Sequence, residues 1–495
     1  MSARVLMFQG TGSDVGKSTL VAGLCRIALR RGIRVAPFKP QNMSNNAAAC
    51  DDDGEIGRAQ ALQARAAGLQ PCVDFNPVLL KPQSDQTAQI VVHGKVLDTL
   101  SASNYMNHKR HHLMEAVVES FKRLCTNHEL ILVEGAGSAA EINLRERDIA
   151  NMGFARQVGA PVCLIGDIDR GGVIAAVVGT KAVIEREDAA MIKSFIINRF
   201  RGDPRLFDDG VSSMEELTGW PCRGVVPWLP SALKLPQEDA VVLQHGHHAH
   251  AQSHRKFTVA VPMLSRIANF DDMDPLRLEP NVELGFVPPG QTIPQDIDAI
   301  VLPGTKSAIG DLEFMRKQGW DHDIIAFARN GGRVMGICGG YQMLGQWIHD
   351  PDGIDGQPGS VQALGLLDVS TCMQAVKQTR EVRGKCVRSG APLAGYEIHV
   401  GTTTGPDTNN PSTLLDGMPD GAIDNTGCIE GTYLHGIFSN DIFRSWWINS
   451  QKNGIAGNLN YEASVDEELN RLADGLEASL DIESLFKDAC APALL

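Results

Sequence analysis

Aromatic residues make up only 5% of the chain, no run of lysines and arginines occurs, and the net charge is −14. A nucleic-acid partner requires clustered cations for phosphates and rings on which bases stack, so nucleic acid is not expected as a ligand. Long hydrophobic runs are missing too: no apolar stretch approaches the roughly eighteen residues of a membrane span, so no membrane segment is expected. The first apolar run, Val5 to Phe8, is short and leads directly into a glycine-rich loop, which is not the layout of a secretory leader. The eleven cysteines include no Cys-x-x-Cys pair. That spacing points to reduced thiols in a cytoplasmic protein, not to a disulfide framework or a zinc site.

What is present begins with length. At 495 residues the chain exceeds a single core and suggests two or three domains. Residues 1 to about 235 alternate short apolar strands with helical patterns. Strands are expected at Val5–Phe8, Arg34–Pro37, Leu130–Val133, Pro161–Ile165 and Ile192–Ile197, and helices at Glu55–Ala67 and His111–Asn127. Such alternation predicts a parallel sheet wrapped by helices, with ligands at the carboxyl ends of the strands. Residues 236–256 are polar and His-rich with no apolar period, and read as a solvated linker. A second alternating α/β unit is expected over 257–450, and a helical tail over 451–495, amphipathic from Tyr461 to Phe486.

The first strand runs into Gly10-Thr-Gly-Ser-Asp-Val-Gly-Lys-Ser-Thr19, followed by an apolar helical pattern through Leu20, Leu24 and Ile27. Strand, glycine-rich loop and helix together make a phosphate cradle. Backbone N–H groups between Gly10 and Gly16 and at Thr19 face phosphate oxygens, Lys17 reaches the outer phosphates, and Ser18 is placed to ligate Mg²⁺. Glu134 ends the apolar run Leu130–Val133, where a carboxylate commonly binds Mg²⁺ or its water. Asp167 and Asp169 repeat that theme after Pro161–Ile165. Asp148 lies in an ion-dense loop, Glu141 to Phe154.

In the second unit, Val334–Ile337 leads into Cys338, then Gly339 and Gly340, then a helical run from Tyr341. This is the layout of a nucleophile elbow, in which glycines at 336, 339 and 340 are expected to permit strained angles and a close substrate. A helix N-terminus favours the thiolate that attacks. About a hundred residues later, His435 follows the strand-like run Gly431 to Leu434 and is the candidate base.

Gly-Ile-Cys338-Gly-Gly-Tyr-Gln-Met-Leu-Gly followed by Tyr-Leu-His435-Gly resembles the class I glutamine amidotransferases, in their cobyrinate-amidating branch. The spacing Gly10-x5-Gly16-Lys17 resembles the dethiobiotin-synthetase-like P-loop proteins. Further stretches carry the first resemblance over nearly the whole chain: Lys39 to Asn42, Gly54 to Gln63, Asn76 to Pro82, Asp148 to Phe154, Asp169 to Val173, Asn198 to Asp203, Leu302 to Ser307 and Tyr396 to Gly401. The resemblance implies a P-loop ligase domain and a glutamine amidotransferase domain, both α/β. It implies ATP, Mg²⁺, glutamine and a corrinoid carrying several propionate and acetate carboxylates. In this chemistry ATP converts a carboxylate to an acyl phosphate, and ammonia from glutamine displaces phosphate. Joining both activities in one chain keeps the ammonia source close to the activated acid.

The same resemblance implies an oxyanion hole at Gly304 and Gly339, an adenine contact at Asn198, and substrate-facing segments at Glu141–Phe154, Lys39–Asn42 and Asn198–Asp203, with Asp148, Asp167 and Asp169 as substrate-loop candidates. Most relatives carry a glutamate two residues after the histidine, where this chain has Ile437. A Cys–His dyad without that third member is therefore expected. Two other readings stay open: a sibling synthetase that amidates the a and c side chains, and a P-loop switch with a glutamine-sensing domain.

Overall fold

The computed structural model describes residues 3–50, 53–82, 87–101, 110–238, 256–450 and 455–493. The chain divides into two compact units, one formed by 1–44, 54–238 and 465–495, the other by 45–53 and 239–464. Most of the expected linker, 239–255, lies outside the described residues. The expected separate tail is revised: from Val465 onward the C-terminal helices belong to the first unit. The helix Tyr461–Ser479 buries Leu469, Leu472, Ala473 and Leu476 on one stripe, and a Cβ at Gly23 would meet Leu476 Cδ1 at 2.4 Å. Spacing of three and four residues marks one helix face, and a glycine on the opposing helix lets the two approach closely.

The first unit is built on a six-stranded sheet. Its order is Cys222–Pro227, Ile192–Phe200, Val162–Asp167, Arg4–Gly10, Leu130–Ser138, Val35–Phe38, and every neighbouring pair is parallel. Strands buried on both faces read as continuous apolar runs, and Val5, Leu6, Met7 and Phe8 are all fully buried. Two segments depart from expectation. Glu55–Gly57 is a short strand before the helix Arg58–Ala66, and Leu130–Ser138 continues past Glu134, absorbing the extra length in a register shift opposite Phe8 and Gly10. A second sheet, Gln41–Met43, Val78–Pro82, Thr87–Val92 and Lys95–Ser101, was not anticipated.

The second unit has its own six-stranded sheet, in the order Val282–Val287, Phe257–Pro262, Ala299–Leu302, Arg333–Ile337, Ile429–Thr432, Ala422–Ile423. All pairs are parallel except the last. A further sheet contains the long antiparallel pair Ser370–Cys386 and Pro392–Thr404. Among the described residues, no helix is long and apolar enough to cross a membrane.

Candidate active sites

The strand Arg333–Ile337 is buried along its whole length and delivers Cys338 at its carboxyl end. Cys338 itself adopts φ 54°, ψ −111°. For a residue with a Cβ such a conformation costs on the order of 1–3 kcal/mol and persists only when its surroundings enforce it. They do so here: Cys338 N donates to Thr432 O at 2.8 Å, and Cys338 O accepts from Gln342 N at 3.1 Å. The strain therefore sits on the cysteine, whereas glycines 336, 339 and 340 all lie outside the positive-φ region, contrary to expectation. They are glycines because of close approach. A Cβ at 340 would stand 2.2 Å from Leu302 O, and one at 336 would stand 2.6 Å from Gly340 C.

Neighbouring strands bring the remaining groups to the same sheet edge. Ile429–Thr432, paired with Arg333–Ile337, leads to His435, which is buried. Ala299–Leu302, on the other side, leads to Gly304. A Cβ there would meet His435 Cε1 at 3.0 Å, while Gly339 packs on Thr305 of the same loop. That loop is braced from below: Asp311 accepts from Ser265 Oγ at 2.6 Å and from Arg266 N at 3.1 Å, and Thr305 Oγ1 donates to Arg266 O at 3.1 Å. Cys338, His435, Gly304 and Gly339 are thus brought together.

The strand Phe257–Pro262 supplies a residue that sequence reasoning missed. Beyond it, the turn Phe270–Met273 places Asp272 Oδ2 2.7 Å from His435 Nδ1, and Asp272 Oδ1 accepts from Gly436 N at 2.6 Å. The expectation of a dyad with no third group is corrected. The acid comes from a position 163 residues earlier in the chain, while Ile437 is buried apolar core. Burial alone would push the His435 imidazole down, but the Asp272 carboxylate and the hydrogen-bonded Cys338 side chain outweigh it and raise it to about 10. With Nδ1 held by Asp272, Nε2 is left for the sulfur. Tyr396 stacks on the imidazole, with ring centroids 5.2 Å apart and planes 16° apart.

In the first unit, Gly10 ends its strand and the helix Lys17–Arg30 begins after Gly16, whose φ is 91°. Ser18 and Thr19 lie in the first turn of that helix. Lys17 Nζ donates to Gly12 O at 3.0 Å and Gly137 O at 2.8 Å. Burial, and secondarily Lys39, lower the Lys17 ammonium to about 8 against the opposing pull of Glu134. Glu134 is buried and accepts from Ser18 Oγ at 2.7 Å, Lys39 Nζ at 2.8 Å and Gln63 Nε2 at 2.6 Å.

The hydroxyl of Ser18 and the carboxylate of Glu134 are hard oxygen donors side by side at the phosphate loop, a set that suits Mg²⁺. No group of three or more His, Cys, Asp or Glu side chains able to hold a metal occurs among the described residues. A cation here would therefore complete its shell with phosphate oxygens and water, as Mg²⁺ at nucleotide sites usually does.

The other candidates are placed differently. Asn198 Nδ2 donates to Val15 O at 2.8 Å, so its amide braces the phosphate loop. Asp167 pairs with Arg199 at 3.0 Å, and Arg199 pairs with Asp14 of the loop at 3.1 Å. Asp169 is exposed to an ion pair with Arg201. Asp148 accepts from the backbone N–H groups of Ala150, Asn151 and Gly153, each at 2.8 Å, which makes it the anchor of a turn. The dense ions around it are partly spent on structure.

A family model described as the CobQ/CobB/MinD/ParA nucleotide binding domain matches residues 6–242, and one described as the CobB/CobQ-like glutamine amidotransferase domain matches 258–443. The chain is 60% identical to the cobyric acid synthase of Hyphomonas neptunium over 492 residues, 99% of each chain. It is 60% identical to that of Paracoccus denitrificans over 481 residues, covering 97% of this chain and 98% of the relative. With the cobyric acid synthase of Brucella suis biovar 1 it shares 54% identity over 485 residues.

Proposed function

The chain belongs to the cobyric acid synthase family, and from that premise we propose how its two sites divide a glutamine- and ATP-dependent amidation between them. The observation that carries the reading is the convergence of Cys338, His435 and Asp272 in one unit, with an intact Lys17 phosphate loop in the other. Residues 1–235 carry the ligase and 257–450 the glutaminase, in a cytoplasmic enzyme. The acceptor is adenosylcobyrinic acid a,c-diamide, amidated at its b, d, e and g carboxylates.

At the glutaminase, Cys338 Sγ forms a bond to the carboxamide carbon of glutamine while the thiol proton passes to His435 Nε2. The oxygen becomes an oxyanion facing the N–H groups of Gly304 and Gly339. His435 gives its Nε2 proton to the departing nitrogen, ammonia leaves, and a glutamyl thioester remains. His435 then takes a proton from water, whose oxygen bonds to the thioester carbon; the carbon–sulfur bond breaks, His435 returns the proton to Cys338 Sγ, and glutamate leaves. Asp272 holds the imidazole in the tautomer that presents Nε2.

At the ligase, an acceptor carboxylate takes the γ-phosphoryl group of ATP, ADP departs, and ammonia displaces phosphate from the acyl carbon. Lys17 places a point charge on the transferred group. Ser18 and Glu134 would hold Mg²⁺, which neutralises phosphate charge when bound.

Mass spectrometry of the corrinoid after incubation with ATP, Mg²⁺ and glutamine tests the reading. Each carboxylate converted to an amide lowers the mass by about one unit, so a loss of about four units is expected. An unchanged mass with full-length folded protein would refute it, and amidation confined to the a and c positions of cobyrinic acid would assign the sibling activity instead.

Asp272→Asn keeps the contact to Nδ1 but removes the charge. Glutaminase kcat is expected to fall by roughly 100-fold. The His435 proton is held by the Asp272 carboxylate, so without that charge it is lost at lower pH, and the alkaline limb of the glutaminase profile should move acidward. A limb that stays in place would remove Asp272 from this role.

A further inference from the structure

Asn269 precedes the turn Phe270–Met273 and stands in the left-handed region, with φ 51° and ψ 41°. Asparagine is among the few residues with a side chain that enter this region readily. Its four polar atoms are all engaged. The backbone N donates to Asn46 Oδ1 at 2.6 Å, and the backbone O accepts from Asp272 N at 3.1 Å. In the side chain, Oδ1 accepts from Ala47 N at 3.0 Å and Nδ2 donates to Tyr396 Oη at 3.2 Å.

Two of these bonds lead to His435. Asp272 holds the edge of the imidazole through Nδ1, and Tyr396 covers its face. Tyr396 and His435 also exchange backbone bonds, His435 N donating to Tyr396 O at 2.9 Å and Tyr396 N to His435 O at 3.2 Å. The other two bonds lead to segment 45–53. That segment belongs to the second unit, although the stretches before and after it in sequence, 1–44 and 54–238, belong to the first. Asn46 and Asn269 are both buried. The short strand Ala47–Ala49, buried throughout, packs against the strand Pro392–Thr404 that carries Tyr396. Two successive residues thus grip one asparagine, one by its backbone and one by its side chain. Removing either grip leaves a buried polar group without its partner, which a packed interior resists by rearranging.

We propose that Asn46 is a positioning residue of the glutaminase: together with Ala47 N it clamps Asn269, which in turn sets Asp272 on the edge and Tyr396 on the face of His435. The inference rests on the glutaminase reading above. Asn46 acts on the reaction only through Asn269. Without its Oδ1, the N–H of Asn269 is buried with no acceptor, and the left-handed residue is free to turn. The Asp272 turn and the Tyr396 phenol then lose a common anchor, and the imidazole loses its fixed direction toward the sulfur. Misplacement of that kind slows the chemical step, because proton transfer at Nε2 depends on direction and distance.

The test uses the full chain and reads glutamate release. Asn46→Ala is expected to lower kcat about tenfold while KM for glutamine stays within about twofold. The titratable groups that face His435 are Asp272, Cys338, His399 and Tyr396. The Asp272 carboxylate supports the imidazole proton, so a displaced Asp272 supports it less, and the alkaline limb of the pH profile should move acidward. In an Asp272→Asn background the same substitution should cost less than about twofold and leave the limb where Asp272→Asn puts it, because residues acting through one contact are not additive. An unchanged kcat, a limb that stays in place, or full additivity with Asp272→Asn overturns the proposal. Should a thermal melt show that Asn46→Ala does not fold, Tyr396→Phe removes a single oxygen from the same chain of contacts. It is expected to lower kcat about threefold with the same acidward shift, and an unaltered profile overturns the proposal. If the unaltered chain frees no glutamate from glutamine, the glutaminase reading fails, and the clamp is decided separately by NMR of ¹⁵N-histidine-labelled protein. The His435 Nδ1 resonance, identified by its loss in His435→Gln, moves in Asn46→Ala if the clamp positions the ring and stays in place if it does not.

Discussion

Cys338→Ser is expected to lower glutamine-dependent amide formation by roughly 1,000-fold or more while leaving formation from ammonium chloride in place. A serine fits the same elbow, since the φ of 54° and the bonds to Thr432 and Gln342 involve only the backbone. What is lost is the nucleophile, because a hydroxyl is far less ionised than a thiol at any working pH. Asp272 and His435 remain, but a raised imidazole holds its proton and is a poor base toward serine. Carboxylate activation at Lys17 involves no thiol, so external ammonia should bypass the lesion. Raising the pH should help that bypass, because NH₃ and not NH₄⁺ is the nucleophile. Glutamate release and amide formation are measured in parallel. Full glutamine use by the variant would refute the elbow as the source of ammonia, and loss of the ammonia route as well would show that the two reactions cannot be separated.

What the sequence made legible was whatever local chemistry writes down. Apolar runs such as Val5–Phe8 and Val334–Ile337 mark buried parallel strands, and the residues just after them, Gly10 and Cys338, fall at the carboxyl ends where such sheets bind ligands. The cysteine, the histidine and the phosphate loop could be read from their immediate neighbours. Partners set by tertiary structure could not. Asp272 reaches His435 across 163 positions, and its neighbours Phe270 to Met273 look like an ordinary acidic turn. Glu238 lies in the polar stretch 236–256 that reads as solvated, yet its Oε2 stands 2.9 Å from Ser18 Oγ across 220 positions. At Asp148 the ion-dense loop does not announce the local role that the structure shows, a carboxylate that anchors a turn by accepting from three backbone N–H groups. The hairpin of Ser370–Cys386 and Pro392–Thr404 was missed because its long strands alternate polar and apolar residues unevenly, with a register shift between Cys372 and Lys377.

Lys17→Ala is expected to abolish amide formation from glutamine and from ammonia alike, the mirror image of the cysteine variant. The lysine is a charge placed where negative charge gathers on the transferring phosphoryl group, and in a dry site such a group contributes roughly 3 kcal/mol or more, a loss of about 100-fold or greater. The surroundings of Lys17 show the same physics from the other side. Burial and Lys39 lower the Lys17 ammonium to about 8, and its Nζ is satisfied by the carbonyls of Gly12 and Gly137. Phosphate oxygens bind the protonated form and favour it, so nucleotide binding should take up a proton as the pH rises through 8, and affinity should weaken above that point. Calorimetry of AMP-PNP binding in buffers of different ionisation enthalpy reads that uptake directly. It should be present in the unaltered protein at pH 8 to 9 and absent in Lys17→Ala, with a thermal melt as the control for folding. Near-normal synthesis by the variant, or proton uptake that survives the substitution, would remove Lys17 from the phosphate site.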